Sequence, residues 1–563
     1  MNSDHSSTPS TAGANVTGSN IANSATASTH GTDSNKSNID AASNTAPKKV
    51  HIKTFGCQMN VADTERMIAL MGEKGMVPTA NAKEADLIII NGCSVREKAV
   101  HKAVSFLGEQ QILKDAGQNG LNKRGQPVRE KQPIIALGGC VGQLDKGEIF
   151  ARAPYLDFVF GPDAIDHLPE LVHKAENGEK HFVQTVFDKT LAYSTETKVH
   201  GSKAAAFVNI MKGCDKYCTY CIVPFTRGRE KSRTINEVLD DLADLVAKGV
   251  REVTLLGQNV NSFGKGNANT HGYEPKELHN IIGKVGPRAG EENFPQLLYA
   301  IENDPRLEKL KRVRFTSSHP LDFSDELIEC YMKCKKLAKH LHLPVQSGSN
   351  RVLTKMGRHH QIENYIAQMK RLKELVPEVG LSTDLIVGFP TETEEDFQDT
   401  IKLLDAIQYD NIFAFAYSPR PGTRAAKMVD DVPADVKNRR LNELLQHQLL
   451  ISKKMYSERV GQVMEVMVEQ IAKTQNLAKN TNGEAAKHEK AEGRVWTART
   501  TCNRPVNFVD HSNRNLLGQF FKVKITAASA LSLTGELIHD PTFAESNEGI
   551  EYTNNYASSE VVQ

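Results

Sequence analysis

The chain has a single tryptophan and only 6% aromatic residues, and no apolar run approaches the ~20 residues a membrane-crossing helix requires. Its longest apolar runs, such as Leu87 to Ile90, have the length of a strand, so a soluble protein without a membrane partner is expected. Neither sign of charge is in excess: 69 Lys and Arg stand against 68 Asp and Glu, for a net charge of +1. The molecule as a whole therefore exerts no pull on nucleic acid, and any RNA site must be a local patch. Residues 1–47 lack a charged segment followed by an apolar core, and have one Lys and no Arg before Lys48. This excludes a secretory signal and an Arg-rich transit peptide, and a cytoplasmic protein with a disordered Ser-, Thr-, Asn- and Ala-rich tail is expected. The nine cysteines are odd in number and have no signal peptide before them, which argues against a disulfide framework. In a reducing compartment, clustered thiols are more often metal ligands.

What is present is alternation. At 563 residues about three or four domains are expected. Short strands run into Phe55-Gly56-Cys57, into Asn91-Gly92-Cys93 and into Gly138-Gly139-Cys140, with helices predicted over 63–71 and from near Arg96. Alternating strands and helices imply a parallel sheet, in which the carboxyl ends of all strands share one edge. Three thiols, each about three residues past a strand, are thus predicted to meet. Three buried structural thiols are the plainer alternative.

A second series supplies strands near 207–211, 252–256, 313–316, 340–345, 381–387 and 412–417, with helices such as 235–247 and 365–375 between them. Six such units predict a barrel or partial barrel with its active face at the strand carboxyl ends. Polar, Gly-rich stretches at 115–132 and 264–292 read as surface insertions. Beyond a helix over 436–456, the segments 461–469, 493–501 and 520–525 alternate with period two, which predicts a small all-β barrel with a loop at 473–491.

The sharpest local signal is Cys214-Asp215-Lys216-Tyr217-Cys218-Thr219-Tyr220-Cys221, just past the first barrel strand. Three thiolates on so short a loop can hold three corners of a [4Fe–4S] cube and leave the fourth iron open. A structural zinc would want a fourth ligand, and no Cys or His lies beside the run.

This run resembles the cluster motif of radical S-adenosylmethionine enzymes, including the aromatic Tyr220 before the last Cys. The segments Thr54-Phe55-Gly56-Cys57-Gln58-Met59-Asn60, Asn91-Gly92-Cys93-Ser94-Val95-Arg96 and Gly139-Cys140-Val141 further resemble the amino-terminal domain of the methylthiotransferases. The likeness extends from about 49 to 538. Gly92 departs from it, standing where a Thr is usual. The first of those segments, together with the stretch from Val223 to Arg233, is similar to the tRNA branch.

The resemblance implies an α/β architecture: a disordered tail (1–47), an amino-terminal α/β methylthiotransferase domain (48–195), a partial radical S-adenosylmethionine barrel (200–456), an RNA-binding TRAM-like all-β barrel (457–540) and a second disordered tail (541–563). It also implies two [4Fe–4S] clusters, one held by Cys57, Cys93 and Cys140 and one by Cys214, Cys218 and Cys221. S-adenosylmethionine would lie against Tyr220, Gly257, Gln258, Gln346 and Asp384, three of which begin or end turns past barrel strands where ordinary turn chemistry is the alternative. The implied reaction methylthiolates C2 of N6-(dimethylallyl)adenosine at position 37 of tRNA. One S-adenosylmethionine supplies the methyl group and a second the hydrogen-abstracting radical; an electron donor such as flavodoxin or ferredoxin and a monomeric enzyme go with it. Methylthiolation of a ribosomal protein aspartate, or a non-catalytic metal-containing RNA-binding protein, are the alternatives.

For RNA, Arg227, Arg229, Lys231 and Arg233 alternate and in an extended segment would share a face suited to phosphates, unless they form an ordinary solvated charge run. Arg494, Arg499 and Arg504 around Trp496 could add contacts, although a lone Trp in a small barrel is more often core. Cys330 and Cys334 are expected as helix-core thiols, as is Cys502 in its own core, and His359-His360 as a polar turn.

Overall fold

The computed structural model describes residues 46–114, 132–187, 204–265, 293–473, 493–512, 514–538 and 559–561, together with Leu121, Gly125 and Thr197. The amino-terminal tail and the cores of the expected insertions and of the 473–491 loop lie outside the described residues.

Strands β1 (Lys49–Gly56), β2 (Val77–Pro78), β3 (Leu87–Gly92), β4 (Ile134–Gly138), β5 (Phe158–Phe160) and β6 (Phe182–Gln184) form one parallel sheet in the order β2-β1-β3-β4-β5-β6. Helices α1 (Gln58–Glu73), α2 (Glu97–Gln110), α3 (Gly139–Asp145) and α4 (Leu168–Glu176) connect and cover it. The continuous apolar run of β3 follows from burial on both faces. Leu87 and Ile89 pack with Met67 and Leu171, whereas Ile88 and Ile90 pack with Ala99, Ala103 and Leu107. One expectation fails here: inside the second tail, Ser559–Val561 forms a strand paired in parallel with Thr54–Gly56. The unpaired edge of β1 beyond the two-residue β2 leaves backbone groups for it to bond.

The central part has parallel strands β7 (Ala205–Asn209), β10 (Glu252–Leu256), β11 (Arg312–Phe315), β12 (His340–His342), β13 (Gly380–Val387) and β14 (Asn411–Ala416), and an antiparallel pair, β8 (Met211–Lys212) with β9 (Lys231–Ser232). Its helices are α5 (Val223–Thr226), α6 (Ile235–Ala247), α7 (Phe294–Asn303), α8 (Asp325–Lys333), α9 (Asn350–Lys355), α10 (Ile362–Leu375), α11 (Glu394–Ile407) and α12 (Ala434–Ser457). The six parallel strands make two three-stranded sheets, joined between β11 and β12 by the single bridge Val313–Leu337. One apolar core, from Val208 and Val253 through Val313 and Leu341 to Leu385, runs across both. The result is an open half-barrel rather than a closed one. Cys330 on α8 and Cys334 just past its end are buried in that core, as expected.

Strands β15 (Val463–Ile471), β16 (Arg494–Thr500), β17 (Pro505–Asp510), β18 (Phe520–Ala528) and β19 (Leu533–Leu537) close into a barrel in the order β15-β16-β17-β19-β18. Trp496, only 1% exposed, fills its core, and Cys502 is buried nearby. This barrel seats on the amino ends of the half-barrel strands. The Arg312 guanidinium donates to Glu465 Oε1 at 3.0 Å and to the Arg499 carbonyl at 3.2 Å, and Arg314 donates to the Thr500 carbonyl at 2.8 Å. Arg504 is ion-paired with Asp410, and both are buried. Of the suggested RNA contacts of the β-barrel, three are engaged inside the protein, while Arg494 lies partly exposed over the Trp496 ring. Trp496 is interior, Arg504 joins two domains, and Arg499 is bound to Glu469 at 2.7 Å.

Candidate metal centres at two facing thiol sites

At the amino-terminal sheet, three strand ends deliver the three thiols. Cys57 is the N-cap of α1 in extended conformation, and its carbonyl accepts from the Asn60 amide at 3.0 Å. The Cys93 amide donates to the Phe55 carbonyl at 2.8 Å, which ties the second thiol loop to the first. Cys140 lies in the first turn of α3, entered through Gly139 at φ +76°, where a Cβ would come within 2.2 Å of Asn91 Oδ1. Beneath them Asn60 Nδ2 donates to Asn91 Oδ1 at 3.0 Å, and Asn91 Nδ2 donates to the Asn60 carbonyl at 2.8 Å and to Thr64 Oγ1 at 2.9 Å. Both asparagines are fully buried, and this closed network fixes the loops that carry Cys57 and Cys93.

The thiols reach one another. A hydrogen bond from Cys93, with help from Arg227 and the first amides of α1, pulls Cys57 down to about 6. The same bond and burial push Cys93 well above its ordinary value. Burial also raises Cys140, against the pull of Arg227.

The second site is local. Cys214, Cys218 and Cys221 sit on the loop between β8 and α5. Gly213, at φ +75°, lets this loop press against the Arg229 carbonyl, which a Cβ would approach to 2.0 Å. The Gly213 amide donates to Gln258 Oε1, so this expected cofactor residue props the cluster loop from β10. Thr219 N donates to the Met356 carbonyl at 2.8 Å, and Arg358 Nη1 donates to Cys218 Sγ at 3.6 Å. Burial, then neighbouring Glu230 and the other thiols, raise Cys214 well above its ordinary value, and burial pushes Cys221 up to about 12.

The remaining expected residues gather here in part. Tyr220 lies within electrostatic reach of Arg358, Cys218, Cys221 and Asp384, and burial raises its phenol well above the usual range. The Gln346 amide donates to the Asp384 carbonyl at 2.9 Å with Gln346 at φ +80°, which places these two on one strand end. Gly257 packs against Met211, where a Cβ would meet the side chain at 2.4 Å.

Sequence reasoning missed a buried polar rim at the same end of the half-barrel. Asp322 accepts from Lys216 at 2.7 Å and from Asn259 Nδ2 at 2.8 Å, and Ser262 donates to Glu230 at 2.6 Å. Burial pushes Glu230 up to about 8 against that hydrogen bond. His319 Nδ1 accepts from the Leu321 amide at 3.2 Å, so its proton is on Nε2. His319 Nε2, His360 Nε2, Asn259 Oδ1, Ser318 Oγ and Arg358 Nε are buried without a partner. Orphaned donors and acceptors at one strand end fit a polar ligand of mixed character. His360, expected only as half of a polar turn, is buried and part of this rim. No local pattern marks these residues, since Arg358 meets Cys218 across 140 positions.

The two sites face each other. α3, with Cys140, packs on α5, which starts two residues past Cys221. Beside them Ser418 donates to Glu97 at 2.8 Å and Lys212 pairs with Asp163 at 2.9 Å. The three arginines of the alternating basic stretch form ion pairs as well, the first of them between the two sites. Arg227 binds Asp63 at 2.6 Å, Arg229 binds Asp215 at 2.6 Å and Arg233 binds Asp241 at 2.8 Å. The expected phosphate-facing row of four is thus corrected for Arg227 and Arg233, whose buried side chains join carboxylates of the protein, while Arg229 pairs with Asp215 and stays 39% exposed.

The donors of each trio, three thiols without a His or carboxylate among them, suit a cubane. Among the described residues, no group of three or more His, Cys, Asp and Glu is arranged to hold one metal ion. The thiols of each trio nonetheless act on one another electrostatically. A cubane takes each thiolate on a separate iron, so it asks for a looser trio than a tetrahedral ion does.

Comparison with known proteins bears on the same segments. Residues 208–404 match the model of the radical SAM superfamily, and residues 49–161 match a family described as uncharacterized protein family UPF0004. The chain is 41% identical over 495 residues to the tRNA-2-methylthio-N(6)-dimethylallyladenosine synthase of Acidovorax sp. (strain JS42), covering 87% of this chain and 98% of that one. With the synthase of the same name from Bdellovibrio bacteriovorus it shares 42% over 494 residues, 87% of this chain and 95% of the other. A solved radical S-adenosylmethionine methyltransferase, TsrM from Kitasatospora setae, aligns over 67% of this chain and 75% of its own at 14% identity and a TM-score of 0.46.

Proposed function

The chain belongs to the tRNA-2-methylthio-N(6)-dimethylallyladenosine synthase family of the radical SAM superfamily, and from that premise we propose how its residues divide the work. The protein methylthiolates N6-(dimethylallyl)adenosine in tRNA, giving the 2-methylthio nucleoside. Cys57, Cys93 and Cys140 hold one [4Fe–4S] cluster and Cys214, Cys218 and Cys221 the other. When bound, these clusters and S-adenosylmethionine supply the sulfur, the methyl group and the radical. The observation that carries this division is the facing of two thiol trios across one domain interface.

The chain's own residues position and exclude. Gly213 and Gln258 hold the cysteine loop in place. Arg358 offers a charged donor to Cys218 Sγ, which steadies a thiolate in a buried site. His319 and His360, with Asn259, Ser318 and Arg358, present unsatisfied polar atoms that suit the nucleoside and amino acid parts of S-adenosylmethionine, and Tyr220, Gly257, Gln346 and Asp384 flank them. Adenosine 37, entering between the two trios, would have its C2 within reach of both. A low-potential one-electron carrier such as flavodoxin or ferredoxin serves as donor, and the enzyme acts as a cytoplasmic monomer. No helix among the described residues is long and apolar enough to cross a membrane.

The test is anaerobic reconstitution followed by incubation with S-adenosylmethionine, a reductant and tRNA with or without the dimethylallyl group, with nucleosides read by mass spectrometry. Gain of a methylthio group only on the dimethylallyl substrate is expected. Its absence with fully loaded enzyme would overturn the reading.

A further inference from the structure

Arg227 comes from the half-barrel, yet its charge is used by the other domain. It follows α5, six positions past Cys221, and its side chain is 6% exposed. Nη2 donates to Asp63 Oδ2 at 2.6 Å, and Asp63, 8% exposed, lies on α1, the helix that Cys57 caps. An isolated buried guanidinium is costly, and one carboxylate balances it only formally. Two thiols lie beside it: Cys140, with which it hydrogen-bonds, and Cys57, both within its electrostatic reach. One rigid planar fork thus bonds the carboxylate of α1 and the Cys140 thiol and acts electrostatically on Cys57. The element that carries it is tied directly to the other thiol loop.

We propose that Arg227 is the positioning residue of the amino-terminal cluster: a fixed positive charge, aimed by Asp63, that sets the redox level of the group held by Cys57, Cys93 and Cys140 and locks it at a constant distance from the Cys214–Cys221 loop. This rests on the assignment of that cluster to those three cysteines. Hydrogen bonds and net charge around cluster sulfurs are the protein's means of setting a potential. A buried cation stabilises the more negative, reduced form, so its removal makes reduction harder.

The test uses the full chain with Cys214, Cys218 and Cys221 replaced by Ala, so that only the amino-terminal cluster remains. Iron and sulfide are counted, and the cluster is titrated electrochemically with its paramagnetic spectrum as readout. About four irons in this parent are required by the assignment itself; none would sink the assignment, independently of Arg227. With the parent loaded, Arg227→Met is expected to shift the midpoint to more negative potential and change the spectrum. Arg227→Lys should keep most of the potential while broadening the signal, because charge survives and the fork does not. Asp63→Asn should also broaden it, because the guanidinium is no longer aimed. If Arg227→Met fails to load or fold, the lysine and asparagine variants decide. A potential and spectrum identical to the parent in every loaded variant would overturn the proposal. In the otherwise intact enzyme the same substitution should raise the ratio of S-adenosylmethionine cleaved to nucleoside methylthiolated, which a purely structural defect would leave unchanged.

Discussion

The two thiol trios reach the same kind of chemistry by opposite constructions. Cys214, Cys218 and Cys221 lie within eight consecutive residues, so their meeting is set by one loop. Cys57, Cys93 and Cys140 come from three separate crossovers and meet only once β1, β3 and β4 have paired in register. Their settings differ too. In the amino-terminal trio Cys57 is lowered to about 6 beside an arginine while Cys93 and Cys140 are raised, and in the barrel loop burial raises Cys214, next to Glu230, and Cys221. The first site offers one thiol that ionises readily, Cys57, and in both sites a ligand must displace protons from the raised thiols.

The largest effect should separate the trios outright. Replacing Cys57, Cys93 and Cys140 by Ala is expected to lower iron from about eight to about four per chain and abolish methylthiolation, with reductive cleavage of S-adenosylmethionine retained. Replacing Cys214, Cys218 and Cys221 should also leave about four irons but abolish the cleavage as well. Iron and sulfide counts beside 5′-deoxyadenosine yield would check both, and zinc in place of iron in the parent would undo the comparison.

How far each site could be foreseen follows from the same contrast. The barrel motif is readable because its ligands are neighbours in sequence. The amino-terminal trio is readable because a parallel sheet brings all carboxyl ends to one edge, so Phe55-Gly56-Cys57 and Asn91-Gly92-Cys93 needed only a fold class. What surrounds them was hidden. Asp63 and Arg227 are 164 positions apart, and alternation of Arg227, Arg229, Lys231 and Arg233 looked like a phosphate-binding face although each arginine had a carboxylate waiting elsewhere. A charge pattern tells which residues can pair, and tertiary structure decides with what. His360 is the reverse case, since a polar dipeptide gives no sign that one ring turns inward.

The pH response should differ between the trios, through Glu230. It lies buried beside Cys214 with Lys216, Asp322 and Asp215 around it, and burial holds it at about 8. The folded state keeps a proton that the unfolded chain gives up near the usual ~4.5. Stability of the iron-free protein should therefore fall as pH rises from that value to about 8, and level off above it. At ~1.4 kcal/mol per unit the full window amounts to roughly 5 kcal/mol. Glu230→Gln should flatten the dependence and be the more stable protein above pH ~8. Urea unfolding at several pH values measures this, and parallel curves for the two proteins would refute it.

A smaller effect is expected at Arg358, whose donor contact to Cys218 has no counterpart of the same kind at Cys93. Arg358→Met should lower iron retention or cleavage rate by roughly 10–100-fold, the usual range for a residue that steadies a metal ligand. The amino-terminal cluster should keep its spectrum. If instead both clusters were lost, the sites would not be independently assembled.

The smallest effect concerns Gly92, the one departure from the family pattern around the amino-terminal thiols. A Cβ there would lie 2.8 Å from Val141 Cγ2 and 3.1 Å from its Cβ, next to Cys140. Gly92 and Val141 are therefore matched: the missing side chain on one crossover makes room for the branched side chain on another. Gly92→Thr should destabilise the iron-free protein by roughly 1–3 kcal/mol through overpacking. The double variant Gly92→Thr with Val141→Ala should recover most of it, since contacting residues are not additive. Chemical denaturation of the four proteins closes the cycle. An additive result would mean that the valine does not fill the space the glycine leaves, and that the third thiol loop is set by Gly139 and the asparagine network without it.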